Sequence, residues 1–224
     1  MNNNFFNKAR NNMVNNQILP NGVKNSDLID SFDSIKKELF VPDSEKDIVY
    51  SDSDIKISDD RYLVRSFVLA KMFEYCNFSK EDSVLVVGCL TGYSVAILSN
   101  IVNYVFGIEN DRKFVDQANK NLSMLGYLNC SIFFRSNLIS GNSKNSPYDK
   151  IFIEGGIKEV PVSLIKQLKE DGEIYTVLKE DENIGEFVKG QKVGSMISFT
   201  KLFNTNLFEL KDFIIQENGY EGKI

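Results

Sequence analysis

Residues 83–98 read SVLVVGCLTGYSVAIL, and the fold follows from how this stretch is parsed. Val84, Leu85, Val86 and Val87 form a run too short for a helix and too uniformly apolar for a strand with one wet face. Such a run reads as a strand buried on both sides. Gly88-Cys89-Leu90-Thr91-Gly92 breaks it, and helical spacing of apolar residues follows over 93–101. Strand, glycine turn and helix in that order open a parallel α/β unit.

Toward the C-terminus the same grammar repeats. Residues 104–108 predict a strand ending at Glu109, 111–125 a helix stopped by Gly126, and 131–134 a third strand. A Gly/Asn/Ser loop at 140–147 precedes a strand at 150–153, a helix at 162–169, a turn at Asp171-Gly172 and a strand at 173–178. Apolar runs near 195–203 and 207–215 predict a final antiparallel hairpin. Toward the N-terminus, near-helical spacing over 5–19 is stopped by Pro20-Asn21-Gly22, and a second helix over 27–38 closes at LFVP, because the residue before proline avoids the helical region. The polar, acidic stretch 43–60 reads as a loop and 62–78 as a third helix. The fold class expected is α/β: a Rossmann-like, doubly wound, mostly parallel sheet with an N-terminal helical flank (1–80) packed as one unit with the sheet domain (81–224) and a C-terminal antiparallel hairpin.

Composition narrows the chemistry. The 224 residues include no histidine, which excludes Ser-His-Asp and Cys-His nucleophiles, the H-E-x-x-H zinc site and any imidazole acid-base step. Lys and Arg number 26 against 31 Asp and Glu, a net charge of −5, which argues against nucleic acid or anionic lipid as partner. Cys76, Cys89 and Cys130 are odd in number and widely spaced, so neither a disulfide framework nor a metal site is expected. No apolar stretch approaches the ~18 residues of a membrane span, nor does the N-terminus carry a signal-peptide core. A cytoplasmic location is expected.

In a doubly wound sheet the ligand sits at the carboxyl ends of the strands, beside the first strand-to-helix turn. Here that turn is Gly88–Gly92, and Glu109 ends the next strand about 20 positions later, the spacing at which a carboxylate holds ribose hydroxyls. The pair points to an adenosine-type cofactor; the plainer alternative is a tight βα turn and a solvated strand-end acid. NAD calls for a third glycine opening the helix so that pyrophosphate can rest there, but this helix continues Tyr93-Ser94-Val95-Ala96. S-adenosylmethionine carries no phosphate and has no such need. A nicotinamide oxidoreductase is accordingly remote. Glu154, before Gly155-Gly156, is either ligand-facing or a cap of the next helix. Cys89 has no visible thiolate activator and reads as a small apolar filler.

With these residues in view, the chain resembles the protein-L-isoaspartate O-methyltransferases, class I S-adenosylmethionine-dependent enzymes. The likeness runs through NMVNNQI at 12–18, KELFVP at 37–42, the glycine turn at 83–98, VFGIENDRKFVDQANKNLSMLGYLN at 105–129 and PYDKIFIEGGIKEVPVSLIKQLKEDGEI at 147–174. The resemblance implies S-adenosyl-L-methionine bound by Gly88, Cys89, Leu90, Thr91, Gly92, Glu109, Asn110 and Glu154, with Ser136 or Asn137 at the adenine amino group. It implies as substrate a protein or peptide carboxylate, isoaspartyl or other, and a role in protein repair. The family's acidic residue before the loop is Val86 or Val87 here, and its middle glycine is Leu90, a side chain expected to fill part of the cofactor space. The family's Thr-Ile-Ser substrate element falls on Tyr62-Leu63-Val64, similar to a bacterial subgroup with Arg-Tyr-Leu there.

Methyl transfer to a carboxylate needs no general base, because the acceptor is already ionised near neutral pH. Arg61 or Arg65 is then a candidate bidentate clamp for the acceptor and Tyr62 a candidate orienting group; alternatively both arginines are surface charges flanking a packed helix. A second class of function, a family member without catalysis serving as a binding or scaffold protein, is prompted by Leu90, Val64 and the absent acidic residue.

Overall fold

The computed structural model describes residues 3–181 and 183–214. Helices α1 (Asn3–Met13) and α2 (Ser26–Ser34), the hairpin strands β1 (Ile55–Ser58) and β2 (Arg61–Leu63), and α3 (Ser66–Cys76) precede the main sheet. Then follow β3 (Ser83–Val87), α4 (Tyr93–Ser99), β4 (Tyr104–Glu109), α5 (Arg112–Met124), β5 (Cys130–Phe134), β6 (Tyr148–Ile157), α6 (Val162–Ile165), β7 (Leu168–Lys179), β8 (Gly185–Val193) and β9 (Met196–Asn204). The seven-stranded sheet has the order β5-β4-β3-β6-β7-β8-β9. Pairs among β3, β4, β5, β6 and β7 are parallel, and β8 and β9 run antiparallel. The Rossmann-like fold class read from residues 83–98 is therefore what the chain adopts.

Strand β3 shows why that stretch carried the fold. Val84 and Val86 enter one apolar cluster and Leu85 and Val87 the other, so alternate side chains serve opposite faces and none is left for water. The first cluster runs from Phe6 through α3 and α4 to Phe152, Phe187 and Leu207, joining the N-terminal helices to the sheet. Helix α4 lies inside it, and every residue from Tyr93 to Ser99 is buried. Helix α5 is amphipathic and starts at an Asp111 cap that accepts from the Lys113 amide.

Four expectations change. Helix α2 ends at Ser34 rather than at 38, because Lys37 and Glu38 turn inward: the Lys37 amide donates to the Tyr50 hydroxyl, which donates to Glu38 at 2.5 Å. The supposed loop before Arg61 holds a hairpin, pairing Ile55 with Leu63 and Lys56 with Tyr62, so the third helix starts at Ser66 rather than 62. Helix α6 closes at Ile165, since Leu168 already pairs with Tyr148 as β7 begins. The C-terminal antiparallel pair is β8 with β9, and not residues 195–203 with 207–215. Residue 215 lies outside the described residues. Residues 207–213 instead cross the strand ends as a strap, with the Gly156 amide donating to the Phe208 carbonyl at 2.8 Å and the Leu210 amide to the Gly156 carbonyl at 3.0 Å.

Candidate active site

The site lies where β3 flanks β4 on one side and β6 on the other, the point at which the strand order turns. Gly88 and Gly92 have φ of +80° and +91°, a region that favours glycine, and they reverse the chain from β3 into α4. The Thr91 hydroxyl donates to the Phe40 carbonyl at 2.6 Å, tying the turn to the N-terminal flank. Cys89 is fully buried, which pushes its thiol well above the ordinary range and leaves it inert as a nucleophile.

Glu109 is wholly buried at the end of β4 and accepts four hydrogen bonds. The Leu90 amide donates to Oε2 and the Asn110 amide to Oε1, each at 2.8 Å. The Arg61 guanidinium forks onto the same two oxygens at 2.7 and 2.8 Å and also donates to the Gly88 carbonyl at 3.1 Å and to Asn110 Oδ1 at 3.2 Å. This bidentate pair joins residues 48 positions apart.

Glu154 lies within β6, which runs on to Ile157 rather than ending at 153, at a register shift between Phe152 and Gly156. It is buried and accepts from the Ser94 hydroxyl through Oε2, while its Oε1 has no hydrogen-bond partner among the described residues. Burial raises the Glu154 carboxyl to about 7, against the opposing pull of the Ser94 hydroxyl and the Arg61 charge. Lys37, fully buried, donates to the Val64 carbonyl at 3.2 Å and to the Ser66 hydroxyl at 3.0 Å. Its burial lowers the ammonium to about 8 despite the nearby charges of Asp54 and Glu154. The sign of the Glu154 shift predicts a pH-dependent stability. An acid whose folded value lies above its unfolded one is favoured neutral, so the penalty grows as pH climbs from about 4.5 through about 7. Glu154→Gln is expected to match the wild type near pH 5 and to exceed it by about 1–3 kcal/mol at pH 8.5, read by urea denaturation. A less stable variant at pH 8.5 would mean that the ionised carboxylate is held favourably.

Two spaces lie beside Arg61. A cavity of about 380 Å³ is lined by Ser58, Arg61, Asn110, Arg112, Phe134 and Asp212, with the Arg112 guanidinium 4.0 Å over the Phe134 ring. A narrow crevice of about 10 Å³ is bordered by Asp54, Arg61, Tyr62, Val64, Glu154 and Glu209. Arg61 borders both. The structure thus brings together Arg61, Tyr62, Gly88, Glu109, Asn110 and Glu154. Arg65 stays outside, its amide bound to Asp54 and its guanidinium 5.7 Å from the Phe67 ring. Ser136 and Asn137 are exposed and line neither space, and Asn137 caps the Ile139 amide; Leu138 reaches the cavity instead.

Leu90, expected to fill part of the cofactor space, lines neither of these two spaces. It adopts φ +48°, unusual for a residue with a side chain, and buries that side chain in the first apolar cluster, away from both cavities. Leu90→Gly is expected to relieve backbone strain of about 1–3 kcal/mol and to lose burial of about 2–5 kcal/mol, a net loss in thermal denaturation with ligand affinity unchanged.

The residues that sequence reading missed are Lys37, Ser94, Leu210 and Asp212. Ser94 sits two places past Gly92 in the first turn of α4, a signal available beforehand. Leu210 and Asp212 arrive from the strap, which no pattern near the glycine turn announces.

Comparison with known proteins fits this geometry. The sequence model of the protein-L-isoaspartate(D-aspartate) O-methyltransferase family matches residues 8–205. The chain belongs to that family. This methyltransferase-family chain is 29% identical over 217 residues to the protein-L-isoaspartate O-methyltransferase of Syntrophus aciditrophicus, covering 97% of this chain and 98% of that one. It is 33% identical over 162 residues to that of Helicobacter pylori strain J99, covering 71% and 77%. A solved protein-L-isoaspartate O-methyltransferase superposes with a TM-score of 0.80 at 25% identity, over 90% of this chain and 65% of that one. A Plasmodium falciparum structure described as a complex with S-adenosyl-L-homocysteine has the same fold, with a TM-score of 0.76 at 18% identity over 91% of this chain and 98% of that one. Membership carries the reaction class, S-adenosylmethionine-dependent O-methyl transfer to a protein carboxylate.

The residues of this methyltransferase-family chain fit such a cofactor in kind. Glu109 is a buried carboxylate beside a glycine turn, Glu154 Oε1 is an orphaned buried acceptor suited to an ammonium, and Phe134 offers a ring face beside a cavity of adequate size.

Proposed function

We propose that this protein methylates the side-chain carboxylate of isoaspartyl residues in damaged proteins, as a cytoplasmic repair enzyme using S-adenosyl-L-methionine. The observation that carries the reading is the buried Glu109 at the end of β4, beside the Gly88–Gly92 turn, joined through Arg61 to the crevice that Glu154 borders. In this reading Glu109 holds the ribose hydroxyls, the cavity at Phe134 and Arg112 takes the adenine, and Glu154 Oε1 receives the methionine ammonium. Glu154 then supplies the acid that the family has before its glycine loop and that Val86 lacks. The bound cofactor supplies an electrophilic methyl group on sulfur.

The chain's own residues have a positioning task. The acceptor carboxylate is ionised at neutral pH, so orientation and exclusion of water replace proton abstraction. Tyr62, stacked on Phe208 with ring centroids 3.5 Å apart, and Arg61 flank the crevice where the family places its Thr-Ile-Ser element. A protein acceptor suits the net charge of −5 better than a nucleic acid. Three free cysteines among the described residues suit a reducing compartment, and among them no helix is long and apolar enough to cross a membrane. The binding-protein alternative loses its main motive, since Leu90 is turned into the core.

The test is methyl-ester formation on a peptide carrying one isoaspartyl residue, against the same peptide with ordinary aspartate. Transfer to the first alone is the expected result. Cofactor binding without transfer to either would overturn the isoaspartyl assignment and leave another carboxylate as acceptor.

A further inference from the structure

Each oxygen of Glu109 already accepts two hydrogen bonds, one from a backbone amide and one from Arg61. A ribose diol brought to this carboxylate has no strong site left unless the guanidinium leaves. The space over the turn is also taken. A β-carbon placed on Gly88 would lie 3.3 Å from the Leu210 side chain and 3.5 Å from Arg61, and one on Gly155 would meet Leu210 at 2.5 Å. The hairpin and the strap therefore occupy the crevice that a cofactor of this class enters.

The strap is anchored by backbone bonds to Gly156 and by Asp212 to Asn110 and Leu138, but the contacts between hairpin and strap are light. Tyr62 stacks on Phe208, which is 47% exposed, and Asp60 pairs with Lys211 at 3.0 Å with the lysine side chain 70% exposed. Exposed pairs of this kind hold weakly. Strands β1 and β2 are four and three residues long, with a register shift between Lys56 and Ser58. A two-stranded hairpin of that length is marginal by itself, and this one relies on the burial of Ile55 and Leu63.

Among the described residues, the acceptor side lacks a free cation. The crevice is bordered by Asp54, Glu154 and Glu209, and Glu209 Oε1, like Glu154 Oε1, is buried with no hydrogen-bond partner among the described residues. An incoming carboxylate is repelled by such walls. Lys37 is already committed to Val64 and Ser66. Arg61 borders this crevice as well as the larger cavity, and its charge is held at Glu109, with further bonds to the Gly88 carbonyl and Asn110 Oδ1.

We propose that Arg61 works in two positions: it fills the ribose carboxylate Glu109 in the closed crevice, and once displaced it presents its guanidinium to the acceptor carboxylate, so that the acceptor site exists only after the cofactor has bound. This rests on the cofactor assignment given above. It makes binding ordered, cofactor first, and makes Arg61 both a competitor of the cofactor and a ligand of the acceptor.

Calorimetric titration with S-adenosylhomocysteine, combined with amide hydrogen exchange over 55–63 and 207–213, tests it on the wild type, Arg61→Ala and Arg61→Lys. The expected result is at least tenfold tighter binding by Arg61→Ala, a smaller gain for Arg61→Lys, and faster exchange over 55–63 when the wild type binds. An isoaspartyl peptide should bind the wild type only with S-adenosylhomocysteine present, and Arg61→Ala in neither condition. Phe208→Ala, which loosens the strap without touching Glu109, should also bind S-adenosylhomocysteine more tightly. Equal or weaker binding by Arg61→Ala, with slower exchange over 55–63 on binding, would overturn the proposal by making Arg61 an ordinary cofactor contact. Peptide binding to the ligand-free wild type would overturn the ordered site. Absence of S-adenosylhomocysteine binding to all four proteins at millimolar concentration would overturn the cofactor assignment itself.

Discussion

Glu109→Ala is expected to lose S-adenosylhomocysteine binding by at least 100-fold and to lower the unfolding free energy by about 3–5 kcal/mol. The stability loss follows from what remains. The Arg61 side chain is 11% exposed and would be left as a buried cation without its partner, while the Leu90 and Asn110 amides would lose their acceptor. Removing one member of a buried pair costs far more than the pair is worth. The double variant Arg61→Ala/Glu109→Ala is therefore expected to regain most of the stability and none of the binding. Denaturation of the four proteins in this cycle, with calorimetry on each, separates the two losses. If the double variant is less stable than Glu109→Ala, the buried guanidinium is not the source of the penalty.

The second large effect is expected at Phe152, on β6. It is fully buried, with ring centroids 5.0 Å from Phe73 of α3 and 6.5 Å from Phe187 of β8. Truncating a core phenylalanine removes its burial and leaves a cavity, a loss of about 3–5 kcal/mol. Because this ring bridges the N-terminal helices and the sheet, Phe152→Ala tests whether residues 1–80 and 81–224 behave as one unit. A single urea transition, displaced to lower concentration and coincident by far-UV and near-UV circular dichroism, is the expected outcome. Two separated transitions would show that the flank and the sheet unfold independently.

The parts of the molecule legible in its sequence are those where local pattern and tertiary role coincide. β3 and β4 are apolar runs because both faces are buried, and the glycines at 88 and 92 stand where the chain must take a positive φ. Glu109 was legible as a strand-end acid, whereas Glu154, read the same way, lies inside β6, which continues to Ile157. The hairpin over 55–63 was not, because its strands are short and polar, with Ile55 and Leu63 its only fully buried side chains, and a polar run of that length reads as a loop. The pairing of Arg61 with Glu109 is a tertiary event between distant residues, and no spacing rule reaches it. Leu90 illustrates the opposite failure. Its type was read correctly as a departure from glycine, but the direction of its side chain is set by the core it joins.

The face-to-face stack of Tyr62 on Phe208, with planes 9° apart, has an optical consequence. The chain contains no tryptophan, nine tyrosines and 17 phenylalanines, so the longer-wavelength part of its near-ultraviolet signal comes from phenol rings, and a ring clamped against another in an asymmetric setting contributes more than a freely rotating one. Parting of the hairpin from the strap thus carries its own chromophore, readable in the natural sequence without a dye or an added label.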